Sequence, residues 1–202
     1  MLSALLFDAR INRRQLHVIN LDVWKAFDTV SHDAIFYVLC KHGISQGMVE
    51  YLSNLYRTAA IRLEVDGKFS EELLLGRGVR QGDPLSPLIF NLIMNEILAA
   101  VPDQVGYDNM HGRNVNALVF ADDLVLVGST RDGAQRSLEG VMAALLGFGL
   151  KLAPAKCAAF SFVPSGKTKK IKIITDPQFT AGDRDTATER YSDRAVFRSS
   201  FW

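Results

Sequence analysis

In the stretch VFADDLVLVG, two carboxylates, Asp122 and Asp123, interrupt an otherwise apolar run from Val119 to Gly128. Adjacent ionised carboxylates repel, and burying them unpaired is costly. At a half-exposed bend they become favourable when a divalent cation rests against them. Mg2+ takes hard oxygen ligands, usually one or two carboxylates together with substrate phosphates. Asp22, in VINLDVWKAFD, closes an apolar strand and can supply a further carboxylate. Successive strand side chains face opposite ways, so Asp122 and Asp123 converge on one ion only if the bend reorients them. The same pair also suits an ordinary hairpin turn, which Asp favours.

A second chemical signal is GVRQGDPLSPLIFNLIM. Gly76, Gly78 and Gly82 surround Gln81, and a helix follows at once. Glycines let backbone approach a ligand closely, and a helix N-terminus favours phosphate or a polar base edge. A loop that merely turns into a helix has no need of Arg77, Arg80 and Gln81 among its glycines.

These residues need elements to position them. Apolar spacing predicts a helix over 2–14 and a buried strand over 16–23. A helix follows with Ser31 as N-cap and Gly43 just past its end, then another over about 46–56. Asp66-Gly67 marks a hairpin. Ser86 as cap and Pro87 at the first helical position predict a long helix through SPLIFNLIMNEILAAV. NALVFADDLVLVGS divides into two strands with the acids at the bend. Asp132 is expected to cap a helix ending near Gly147–Gly149, and CAAFSFV and KKIKIIT read as two more strands. The fold class is α+β: a mainly antiparallel sheet with helices packed on one face, close to a split βαβ pattern.

Composition narrows the class. Of 202 residues, 48% are apolar, enough for a real core. The formal charge of +1 neither announces nor excludes a nucleic-acid partner, because local clusters matter more than the sum. The stretch Lys151–Lys172 holds six lysines and no acid; it is either a basic contact surface or a solvated strand face. Cys40 and Cys157 form no metal or disulfide pattern and are expected to be buried free thiols. No run of 18 apolar residues exists, so no membrane span is expected.

Three segments, in this order, resemble the palm motifs of reverse transcriptases: LDVWKAFDTVSH motif A, GVRQGDPLSPLIFNLIMNEIL motif B, and VFADDLVLVG motif C. GLKLAPAKC resembles motif D, with Ala153 where an asparagine is common. KAFDTVSH with FADD is similar to the non-LTR, LINE-type retrotransposon enzymes that insert at specific sites by target-primed reverse transcription. The resemblance covers about residues 5–180 and implies an RNA-directed DNA polymerase. It would transfer nucleotides from dNTP to a DNA primer 3′-hydroxyl on an RNA template. It implies two Mg2+ ions, with Mn2+ as a substitute, held mainly by Asp22 and Asp122 with Asp123 as the weaker neighbour. The Val23 carbonyl is a further ligand by the same resemblance. Phe27 takes the place of the aromatic gate that excludes a ribose 2′-hydroxyl. Arg80, Gln81 and Gly82 belong to the substrate-binding loop, Gln81 and Gly82 meeting the incoming nucleotide and template strand. Lys156 matches the motif D lysine, a general acid toward pyrophosphate.

The expected organisation is a palm with partial fingers over 1–183 and an unstructured or unrelated tail over 184–202, consistent with a piece that lacks fingers and thumb. The alternatives are a catalytically inactive palm that binds RNA or protein, and a viral-type RNA-dependent RNA polymerase. Phe27 and Ala121 weigh against the latter, which prefers a small or polar ribose selector and a glycine before the acids. The family implies work in the nucleus; no targeting signal is written in the chain.

Overall fold

Strand β1 (Leu16–Asp22) is apolar at both parities, and a strand of that kind must be covered on both faces. The computed structural model describes residues 1–109, 111–166, 170–175, 179–181 and 195–196, and in it β1 is the middle strand of a five-stranded sheet. Helix α1 (Leu2–Ile11) precedes it, and α2 (Ala26–Thr29), α3 (His32–Lys41), α4 (Gln46–Arg57) and α5 (Ser86–Leu98) follow. The hairpin β2 (Ala117–Phe120) and β3 (Asp123–Gly128) comes next, then α6 (Arg131–Gly147), β4 (Ala158–Ser165) and β5 (Lys170–Ile174). The sheet order is β5-β4-β1-β3-β2, and every neighbouring pair is antiparallel. β1 and β2 run the same way with β3 between them, which is the split βαβ arrangement expected.

On one face, Ile19, Leu21, Leu124 and Leu126 join Leu138, Val141 and Leu145 of α6, Ile35 and Val38 of α3, and Phe90 and Ile93 of α5 in the main core. Burying each such side chain contributes about 1.5–3 kcal/mol. The α+β class stands, but the helices do not all share that face. Leu16, Val18 and Val127 point to the other side and pack with Leu5 and Ala9 of α1 and with Tyr107. The Tyr107 hydroxyl donates to Asp8 Oδ2 at 2.6 Å, and Asn12 Nδ2 donates to Asp8 Oδ1 at 2.9 Å, so the buried carboxylate of α1 is satisfied. Burial, with the Asp8 bond adding to it, pushes the Tyr107 hydroxyl well above its ordinary range.

The helix ends follow local chemistry, with two shifts from expectation. Ser31 Oγ accepts the Ala34 N–H at 3.1 Å, and α3 closes at His42 before Gly43, as expected. The cap of α6 is Thr130, whose Oγ1 accepts the Gly133 N–H at 3.1 Å; Asp132 instead sits in the first turn. Ser86 is the first residue of α5 rather than its cap, with Leu85 at the N-cap position. The Ser86 hydroxyl donates to the Arg80 carbonyl at 2.6 Å, folding the preceding loop back on itself. Asp66-Gly67 turns a short exposed hairpin, pairing Glu64–Val65 with Lys68–Phe69. Cys157 is buried, whereas Cys40 lies exposed on the solvent side of α3 beside Lys41. Apart from Ala195–Val196, whose backbone pairs with Thr180–Ala181, the tail expected over 184–202 lies outside the described residues. Among the described residues no helix is long and apolar enough to cross a membrane.

Candidate active site

The hairpin β2–β3 is closed by the pair Phe120–Asp123, leaving Ala121 and Asp122 as a two-residue turn with Ala121 at φ 55°. The β1–β3 register then sets Asp22 directly opposite Asp123 at the end of the ladder. Directly opposed strand residues share a face, with Cβ atoms about 4.5–5.5 Å apart, and like charges there are destabilising. Asp122 occupies the second turn position, next to this pair. The structure thus brings Asp22 and Asp123 face to face, whereas the family resemblance gives Asp122 the larger role.

One cation answers the Asp22 charge: Lys156 Nζ lies 3.5 Å from Asp22 Oδ1, with Lys156 70% and Asp22 30% exposed. Lys156 belongs to the 3-10 turn Pro154–Lys156, and that turn is tied to the end of β1. The Ala153 N–H donates to the Asp22 carbonyl at 2.8 Å, and the Trp24 N–H to the Lys151 carbonyl at 2.8 Å. These bonds flank a bridge between Val23 and Leu152, and the Val23 carbonyl takes no part in either. The Asp22 N–H reaches Cys157 Sγ at 3.4 Å, and the thiol donates to the Ala153 carbonyl at 3.4 Å. Burial pushes the Cys157 thiol up, against the opposing pull of the Asp22 N–H. It therefore keeps its proton and its donor role at neutral pH. Spacing gave no signal for Cys157; only the fold shows that it supports Asp22.

The donor set suits a divalent cation. Asp22 and Asp123 carry hard oxygen atoms opposite one another, with Asp122 adjacent, and the arrangement already draws an ammonium group. Among the described residues no group of three His, Cys, Asp or Glu side chains is gathered tightly enough to hold a metal.

Phe27 is half buried, and its ring stacks on Phe90 of α5 with centroids 4.4 Å apart and planes at 23°. Part of this ring therefore belongs to the core while the rest meets solvent. The glycine-rich loop lies against the same segment. The Val79 N–H donates to the Phe27 carbonyl at 2.7 Å, and the Gly78 N–H to the Val30 carbonyl at 2.8 Å. Gly78 has φ 89°, and a Cβ there would stand 2.8 Å from the Asp28 carbonyl oxygen and 2.9 Å from that of Phe27. No other residue fits so close an approach. Gln81 Nε2 donates to Asp28 Oδ1 at 2.7 Å. Arg80, Gln81 and Gly82 are exposed, with Gly82 at φ 85°. Among the described residues no hydrogen bond or ion pair joins this loop to the three aspartates. Phe120, 82% exposed beside the acidic turn, was not singled out by its spacing.

Residues 4–179 match the family described as reverse transcriptase (RNA-dependent DNA polymerase). The chain is 42% identical over 194 residues to the retrovirus-related Pol polyprotein from type-1 retrotransposable element R2 of Nasonia vitripennis, covering 96% of this chain and 19% of that protein. It is 39% identical over 181 residues to the corresponding polyprotein from type-2 element R2DM of Drosophila melanogaster, covering 89% of this chain and 17% of that one. The chain thus spans about a fifth of the length of these relatives. The fold is similar to that of telomerase from Candida tropicalis, solved in complex with a fragment of telomeric RNA. The TM-score is 0.62 at 13% identity, over 85% of this chain and 32% of that one. A palm-like α+β sheet, motifs A to D in order and a family match over most of the length lead to one assignment: the chain belongs to the reverse transcriptase (RNA-dependent DNA polymerase) family, among the non-LTR retrotransposon enzymes.

Proposed function

We propose that this chain is the palm of an RNA-directed DNA polymerase that adds deoxynucleotides to a DNA primer on an RNA template. The observation that carries this reading is the facing of Asp22 and Asp123 across the β1–β3 ladder, with Asp122 in the turn beside them. Asp22, Asp122 and Asp123, with the Val23 carbonyl, would hold two Mg2+ ions, or Mn2+ in their place. Bound there, the ions would activate the primer 3′-hydroxyl and neutralise the triphosphate and leaving pyrophosphate.

The chain's own residues do the rest. The primer oxygen bonds to the α-phosphorus as the bond to pyrophosphate breaks, so catalysis is mostly positioning and charge neutralisation. Lys156 stands at the rim of the acidic pair with its ammonium free to swing from Asp22 toward the leaving group, to which Nζ gives a proton. The Phe27 ring, backed by Phe90, occupies the space a ribose 2′-hydroxyl would need. Gln81 and Gly82 meet the base pair being formed, and Arg80 the phosphates. The unit spans residues 1–183, with part of the fingers at its N-terminal end. It works in the nucleus, where an element that copies itself into chromosomal DNA must act.

Asp122→Asn is the test. In primer extension on an RNA template with dNTP and Mg2+, by this chain joined to the flanking regions of an R2 relative, the substitution is expected to abolish extension. Extension retained by Asp122→Asn would overturn the ligand assignment. Extension with ribonucleotides alone would favour an RNA polymerase instead.

A further inference from the structure

We propose that Asp28 and His32 are positioning residues that clamp the glycine-rich loop to the gate, so that sugar selection is set by the clamp and not by Phe27 alone. This rests on the reading of Phe27 as the gate. Segment 27–32 and segment 77–81 are joined along their whole length. The Ser31–Arg77 bridge closes one end, and the Gln81–Asp28 bond of 2.7 Å closes the other. Between them, the Phe27 and Val30 carbonyls accept the Val79 and Gly78 N–H groups.

His32 lies at the point of closest approach. Its Nε2 is 3.1 Å from the Gly78 carbonyl, and its ring stands edge-on to Tyr56 at 5.0 Å. Tyr56 is fully buried on α4, so the imidazole is backed by the core and cannot retreat from Gly78. At Gly78 the two backbones already meet at the limit of contact. A shift of the loop is therefore passed directly to the Phe27 and Asp28 carbonyls, and so to the gate ring.

Asp28 does the same for direction. Its carboxylate takes one Gln81 amide N–H, which fixes the orientation of the amide and leaves Oε1 and the second N–H to face a ligand. Asp28 follows Phe27 immediately, so the residue that would read the nucleotide is anchored one peptide from the residue that would read its sugar. Neither Asp28 nor His32 contacts the aspartates; each acts through another residue.

The experiment titrates the 202-residue chain in Mg2+ buffer with dATP and, separately, ATP, which differ only in the 2′-hydroxyl. The ratio of their affinities is compared across variants. Asp28→Ala deletes the carboxylate. His32→Phe keeps the ring against Tyr56 and deletes the polar atom. Each is expected to lower the preference for dATP by about fivefold to tenfold, a factor within reach of one hydrogen bond. Asp28→Asn, which still offers Oδ1 to Gln81, is expected to retain the preference. Asp28 is exposed, so its variants decide the matter even if His32→Phe fails to fold. If Phe27→Val loses the preference while Asp28→Ala keeps it, the clamp is overturned and the gate survives. If the unaltered chain shows no preference, or Phe27→Val leaves it unchanged, the gate reading falls and takes the clamp with it.

Discussion

Asp22 and Asp123 oppose one another on adjacent strands at some cost to the fold, since like charges in that position destabilise a sheet by a few tenths to about 1 kcal/mol. Asp123→Asn is therefore expected to raise the melting temperature in EDTA while abolishing saturable Mn2+ binding followed by calorimetry. A fall in melting temperature would show that the pair is not under repulsion. Lys156 tests a different part of the chemistry. It is exposed, and among the described residues its ammonium makes one long ion pair, so Lys156→Ala should leave stability within about 0.5 kcal/mol. In steady-state extension the same variant is expected to lower kcat by about a hundredfold with KM for dNTP little changed. A raised KM with kcat unchanged would reassign Lys156 to binding.

At the level of elements, the glycine-rich loop and the turn after β1 meet backbone to backbone at Gly78. Gly78→Ala forces a Cβ against two carbonyl oxygens at a positive φ, so a loss of about 1–3 kcal/mol is expected in urea unfolding. Ser31→Ala, which removes the α3 cap, should cost about 1 kcal/mol by the same measurement. The two differ in legibility. Ser31 and Gly43 could be read from sequence because a cap is a local bond within one turn. The strands and the acidic bend were equally readable, since Val119–Gly128 carries its own pattern. Gly78 was visible as a glycine, but its reason was not, because the carbonyls that exclude a side chain lie some fifty residues upstream. The cap of α6 was misplaced by two residues because Thr130 and Asp132 both suit the position, and only backbone geometry chooses Thr130. Helix α1 gave no sign of which face it would cover. That depends on the parity of β1, where both faces are apolar. The β1–β3 register, which pairs Asp22 with Asp123 rather than Asp122, depends on a two-residue turn at Ala121 that no glycine announces.

Over the whole molecule, His17 links the sheet to pH. It lies on β1, buried, with Nδ1 sharing a hydrogen bond of 2.7 Å with Ser161 Oγ of β4 and its ring edge-on to Phe179. Burial, with the Arg131 charge adding to it, lowers its pKa from the usual 6.5. The folded state therefore holds the proton less well than the unfolded one. Its contribution to stability is complete above about pH 6.5 and is lost as the pH falls below that toward the folded value. Urea midpoints are expected to drop between pH 7.5 and pH 5.5, and His17→Gln should flatten that slope. An unchanged slope would place the titrating group elsewhere.

The central place of β1 also has a consequence in time. Its partners β3 and β4 are made roughly a hundred and more than a hundred and thirty residues after it. Such distant pairings close slowly, because a long loop must be ordered before any contact rewards it. A nascent chain halted before residue 156 would hold all three acids but lack Lys156 and the Cys157 thiol behind Asp22. Until residue 157 has been made, Asp22 lacks the full pair of supports, the ammonium group at its carboxylate and the thiol behind its N–H.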